Sequence, residues 1–171
     1  AIVDADLCAS CGICAGSCPS STPFRSQEAL VTGIDMPQLP VSVLRRSLEE
    51  KIKHLEGSTR IVVFGCDQGA DVGALENSDT AAMSLICAGM LPPAFVEYAL
   101  RSGADGVLVA GCRVGGCEYR LGDRWTAERL ARQREPHLRH NVPAERLRLA
   151  HASSQDGKML ADELRRFRTQ L

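Results

Sequence analysis

The sequence has no bias of charge: 20 lysines and arginines stand against 21 aspartates and glutamates, a formal net charge of -1. That balance excludes a chain held to nucleic acid or another polyphosphate by bulk attraction. Long apolar runs are also missing. The best stretch, Met83 to Val96, is interrupted by Pro92 and Pro93 and falls short of the roughly 20 apolar residues of a membrane helix, so no span is expected. The opening residues Ala1-Ile2-Val3-Asp4-Ala5-Asp6 carry neither the basic segment nor the apolar stretch of a secretory signal, and a cytoplasmic home is expected. There is no G-x-G-x-x-G fingerprint: the glycines between Gly111 and Gly116 are wrongly spaced for it and share their loop with two cysteines. Nor does any nucleophile stand beside a base in a recognisable pattern, which argues against a self-contained enzyme.

What the chain does have is cysteine, eight in 171 residues, with 44% hydrophobic residues, enough for a real core. In a reducing cytosol these thiols would not persist as disulfides, so metal thiolate chemistry is the expected use. They form two sets separated by a long gap, Cys8, Cys11, Cys14 and Cys18, then Cys66, Cys87, Cys112 and Cys117. Two sites are expected.

Between the sets, Ser20 to Pro40 is rich in Ser, Thr, Pro and Gly and reads as a linker. Val41 to Leu55 then places Leu44, Leu48, Ile52 and Leu55 at helical spacing among charges. From Arg60 onward short apolar runs alternate with amphipathic stretches. The runs Ile61–Phe64, Ala82–Ile86, Val107–Ala110 and Leu147–Ala150 predict buried parallel strands; Ala70–Glu76, Pro92–Arg101, Tyr119–Arg134 and Gly157–Arg168 predict helices, with Pro92 and Pro93 at a first turn and Asp156 as a cap. The expected fold is α/β: a small parallel sheet of about four strands with flanking helices and right-handed crossovers, preceded by a small ferredoxin-like iron–sulfur segment. The expected division is 1–38 for that segment, 39–58 for a linker helix and 59–171 for the α/β domain.

The first set, Cys8-Ala9-Ser10-Cys11-Gly12-Ile13-Cys14-Ala15-Gly16-Ser17-Cys18-Pro19, is C-x2-C-x2-C-x3-C-P, the spacing by which bacterial ferredoxins wrap a [4Fe–4S] cluster. The tight loop offers three thiolates to one cluster while backbone amides turn toward its sulfides, and Gly12 relieves crowding at the sharp turn. A structural zinc knot is the competing reading, but such sites pair two clips across a longer spacer, and no histidine is near. In two-cluster ferredoxins the cysteine before proline ligates the other cluster, so Cys18 either closes its own cluster or serves a partner motif elsewhere. Because the motif begins almost at residue 1, the chain reads as a fragment or tail of a longer polypeptide, an expectation that a start codon directly before Ala1 would overturn.

In the second set, Cys66, Cys87 and Cys112 each follow a predicted strand. Parallel strands put their carboxyl ends on one edge, where open α/β sheets bind ligands, and Cys117 folds back to join them past Gly115-Gly116. The C-x4-C spacing of Cys112 and Cys117 matches the clip of plant-type [2Fe–2S] ferredoxins. Zinc, or burial of one or two thiols as small core hydrophobes, are the alternatives. His151 ends the fourth predicted strand on the same edge, but a lone histidine more often packs or hydrogen-bonds, and it is left out of the ligand set.

From about Ile61 to the end, the chain resembles the family of the delta subunit of methyl-viologen-reducing hydrogenase, a module also fused to or paired with heterodisulfide reductase. The resemblance rests on Phe64-Gly65-Cys66 with Gly69-Ala70-Asp71, on Cys87-Ala88-Gly89, and on Gly103-Ala104-Asp105-Gly106-Val107-Leu108-Val109-Ala110-Gly111-Cys112 continuing to Gly116-Cys117-Glu118-Tyr119. It implies a [2Fe–2S] cluster on Cys66, Cys87, Cys112 and Cys117. It also implies partners: a hydrogenase or formate dehydrogenase on one side and a flavin-containing heterodisulfide-reductase-like subunit on the other. The family often carries two cysteines at its first strand turn, whereas here Cys66 is followed by Asp67 and Gln68.

The expected function is an electron relay with two clusters in one short wire and no substrate chemistry of its own. The alternative from another class is a zinc-stabilised adaptor whose cysteines only fold the domain. A thiol–disulfide oxidoreductase ranks last, since its C-x-x-C is found only inside the ferredoxin motif. The arginines from Arg113 to Arg148 are interleaved with acids and read as a solvated face.

Overall fold

A computed structural model describes residues 35, 36 and 38–171. The first cysteine set and the ferredoxin-like segment lie outside the described residues. Helix α1 (Val41–Lys53) is followed by strand β1 (Ile61–Cys66), strand β2 (Thr80–Leu85), helix α2 (Ala94–Arg101), strand β3 (Gly106–Gly111), helix α3 (Gly122–Leu130), strand β4 (Leu147–His151) and helix α4 (Gly157–Gln170).

The four strands form one parallel sheet in the order β2-β1-β3-β4. β1 and β3 are central and buried at every residue, which is why both read as unbroken apolar runs, whereas edge strand β4 is buried only at Ala150. Side chains alternate across the sheet. Val62, Phe64, Val107 and Val109 face one core with Leu44, Leu48 and Ile52 of α1 and Phe95, Val96 and Ala99 of α2. Ile61, Val63, Leu108 and Ala110 face the other with Leu160, Leu164 and Phe167 of α4. The helical spacing seen in 41–55 therefore marks the stripe that α1 lays on the sheet.

Ala70–Glu76 is not an α-helix; only the single turn Gly73–Leu75 is helical there, of the 3-10 kind. The reason is space. A Cβ at Gly65 would fall 2.2 Å from Cγ1 of Val72, so this connection lies directly on β1 without the stand-off a helix requires. The Asp71 carboxylate also accepts the Gly73 amide at 2.8 Å, a local turn that competes with helix hydrogen bonding. Helix α3 is shorter than Tyr119–Arg134, because Arg120 and Arg132 take positive φ of 71° and 64° at its two ends. Asp156 precedes α4, but its carboxylate turns back to the Ser153 amide at 2.8 Å and makes no cap to the helix.

Candidate metal centre

The strand order sets the site. From β1 the chain moves to β2 on one side and returns to β3 on the other, so the topological switch falls between the carboxyl ends of β1 and β3. Cys66 is the last residue of β1 and Cys112 immediately follows β3. Their sulfurs are 3.2 Å apart, with the Cys112 thiol donating to Cys66. Cys87 opens the 3-10 turn Ala88–Met90 that follows β2. Cys117 returns from the loop beyond Cys112, and both it and Cys87 border Gly122 at the start of α3: a Cβ there would sit 2.4 Å from the Cys87 sulfur and 3.0 Å from that of Cys117. The backbone is equally close on the far side, since a Cβ at Gly89 would fall 2.6 Å from the Gly122 Cα. The two glycines let the Cys87 turn and the head of α3 touch.

The electrostatics bind all four thiols into one group. Cys66 is held down to about 5, first by a hydrogen bond from the Cys87 thiol, with further help from the Cys112 thiol and the amides of Gln68 and Ala88, against the opposing effect of burial. Cys87 is pushed up because its proton is shared with Cys66 and because it is buried. Cys112 is pushed up to about 12, by burial first and then by Cys66, with the charges of Cys117 and Asp123 adding to it. A site that stabilises one thiolate by the protons of its neighbours is one in which four anions would need a compensating metal. Among the described residues, no three His, Cys, Asp or Glu side chains are disposed around one metal ion; the thiols meet as hydrogen-bonded neighbours. The donor chemistry fits an iron–sulfur cluster: four thiols at one sheet edge, backbone amides aimed at two of the sulfurs, and two glycines lining the approach.

Several supporting residues carry no metal-ligand signature in the sequence. Asp123, buried at the head of α3, accepts the Gly115 amide at 2.8 Å and pins the Cys112–Cys117 loop. His151 donates its Nδ1 proton to the Cys112 carbonyl at 3.0 Å, so it orients the backbone of Cys112 from the neighbouring strand. At the corner just after Cys66, the Asp67 carboxylate accepts the Ser84 hydroxyl, while the Gln68 amide points at the Cys66 sulfur. Arg129 donates from Nη1 to the Gly89 carbonyl at 2.6 Å. Beside the thiols, Val114, Tyr119 and Leu121 leave 74%, 54% and 42% of their surface exposed.

Residues 61–171 match the family described as methyl-viologen-reducing hydrogenase, delta subunit. The chain is similar to the iron-sulfur D subunit of the F420-non-reducing hydrogenase of Archaeoglobus profundus, 31% identical over 120 residues covering 66% of this chain and 88% of that protein. It is also similar to the A subunit of the ferredoxin/F(420)H(2)-dependent CoB-CoM heterodisulfide reductase of Methanosarcina acetivorans, 34% identical over 82 residues, 48% of this chain and only 10% of that much longer protein. A third relative, the vhc iron-sulfur D subunit of the F420-non-reducing hydrogenase of Methanococcus voltae, is 35% identical over 75 residues, 39% of this chain and 52% of its own length. The chain belongs to the methyl-viologen-reducing hydrogenase delta subunit family.

Proposed function

We propose that this protein is an iron–sulfur electron-transfer module. It relays electrons between a hydrogenase or formate dehydrogenase and a flavin-containing, heterodisulfide-reductase-like subunit. Residues 1–38 hold a [4Fe–4S] cluster on Cys8, Cys11, Cys14 and Cys18, residues 39–58, which include α1, connect this segment to the sheet, and 59–171 holds a [2Fe–2S] cluster on Cys66, Cys87, Cys112 and Cys117. The observation that carries this reading is the meeting of four thiols at the switch point of the sheet, from the connections that follow β1, β2 and β3.

The names of the relatives, iron–sulfur subunits of hydrogenases and one subunit of heterodisulfide reductase, support the cofactor class and the kind of partner. The chain's own residues bind and orient: Asp123 and His151 fix the Cys112 loop, and the amides of Gln68, Ala88 and Gly89 stabilise negative charge on Cys66 and Cys87. When bound, the clusters supply one-electron transfer. Exposed Val114, Tyr119 and Leu121 beside the thiols suit a site that another protein must approach closely. Among the described residues no helix is long and apolar enough to cross a membrane; a cytoplasmic home belongs to the same proposal.

Iron and acid-labile sulfide on anaerobically purified protein, with EPR before and after dithionite, test it. About six irons per chain with separable [4Fe–4S] and [2Fe–2S] signals is the expected result. Zinc without iron replaces the relay by a zinc-stabilised adaptor.

A further inference from the structure

Arg129 lies in the last turn of α3, seven residues after the Gly122 that borders Cys87 and Cys117. It makes no ion pair with a carboxylate among the described residues. The neighbouring Glu128 is occupied by Arg124 and Arg134. Its Nε is buried without a partner, and its guanidinium stands 6.0 Å from the Trp125 ring centroid. A half-buried cation without a counter-anion is costly unless a negative charge is near. The one directed bond at its tip goes to the Gly89 carbonyl, at 2.6 Å.

Gly89 connects this cation to the thiols. Its amide donates to the Cys87 sulfur, and its Cα packs against Gly122. The carbonyl of the same residue, held by a cation, fixes this turn from behind. The Gly89 N–H and C=O belong to different peptide groups joined through the Cα, so the cation acts on the sulfur by holding the turn and by its charge.

We propose that Arg129 is a positioning residue for the metal centre, holding the Gly89 amide on the Cys87 sulfur and setting the reduction potential through its uncompensated positive charge. The inference rests on the [2Fe–2S] reading of Cys66, Cys87, Cys112 and Cys117. A cluster of four thiolates is net negative and becomes more so on reduction, so both a nearby cation and a donated N–H favour the reduced form and raise the potential.

The test is an EPR-monitored redox titration of the [2Fe–2S] signal in the full chain, comparing wild type with R129Q, R129M and R129K. The neutral variants are expected to lower the reduced-to-oxidised ratio at a fixed potential on the order of tenfold, ~59 mV for a one-electron couple. R129K, which keeps the charge, is expected to recover most of that shift. R134Q, which removes a neighbouring arginine already paired with Glu128, is expected to leave the potential near wild type. Full iron content with an unshifted potential in R129Q or R129M overturns the proposal, and so does an R129K shift as large as theirs. If the neutral variants lose the two-iron signal while R129K keeps it, the cation is needed to hold the site and the proposal stands. A wild-type chain lacking the [2Fe–2S] signal sinks the cluster reading itself, an outcome distinct from failure of the role given to Arg129.

Discussion

At the residue scale, the four thiols differ although their side chains are identical, and the difference is testable without metal. Cys66, with a pKa near 5, is a thiolate at neutral pH, while Cys87 and Cys112 keep their protons. The lowered pKa of Cys66 contributes stability that is fully present above the ordinary thiol range and is lost as pH falls through about 5. The raised pKa of Cys112 acts oppositely: its contribution is present below the ordinary thiol range and is lost as pH rises through about 12. Metal-free protein should therefore show thiolate absorbance near 240 nm that appears between about pH 4 and 6 and vanishes in C66S. If the first thiolate forms only in the ordinary range in both proteins, the hydrogen-bonded cluster of thiols is wrong. Gly122 gives a second prediction. A methyl group there would sit 2.4 Å from the Cys87 sulfur, closer than any real contact, and packing it in should cost about 1–3 kcal/mol. G122A should keep its far-UV spectrum and lose two irons; a variant with full iron content would show that the head of α3 does not border the centre.

At the element scale, helix α1 is as much a part of the core as the strands. Leu44 and Leu48 are fully buried, in the same cluster as Val62 and Phe64 of β1. Leu48→Ala should therefore destabilise the whole sheet by about 2–5 kcal/mol, read as one cooperative urea transition shifted to lower midpoint. Separate transitions for the helix and the sheet would contradict that. The strands and α1 were legible in the sequence because burial on both faces leaves an unbroken run, as in Ile61–Phe64, and burial on one face leaves a 3.6-residue stripe, as in Leu44, Leu48 and Ile52. The connection after β1 was not. Ala70 and Val72 look helical by composition, and only the three-dimensional approach to Gly65 shows that no helix fits. The ends of α3 were hidden for a related reason: Arg120 and Arg132 adopt positive φ without being glycine or asparagine, so no residue type announces them. That Cys66, Cys87 and Cys112 come to one edge of the sheet was legible from their place after apolar runs. Asp123 and Arg129 were not, because their roles are hydrogen bonds to loop backbone, which leave no spacing in the sequence; His151 was expected on this edge as a hydrogen-bonding residue and bonds the Cys112 carbonyl.

At the scale of the whole molecule, the proposed relay carries two metal sites on one chain, and their independence can be measured. The second site is assembled by the sheet: its thiols come from the ends of β1, β2 and β3 and from the loop beyond. The first set has the spacing by which bacterial ferredoxins gather thiolates within one short loop. Removing a ligand from one should thus leave the other loaded. Cys14→Ser should lower iron by about four per chain and leave a [2Fe–2S] EPR signal of unchanged shape. Cys112→Ser should lower it by about two and leave the [4Fe–4S] signal. In each variant dithionite should still reduce the surviving cluster, because a chemical reductant does not need the other cluster as a relay. Passage of electrons from a dehydrogenase donor to a flavoprotein acceptor should fail in both, because a relay conducts only when every step is present. Loss of both signals from either single substitution would mean that the two sites fold as one, and sustained transfer through the C112S variant would mean that the sheet-borne centre is not on the path.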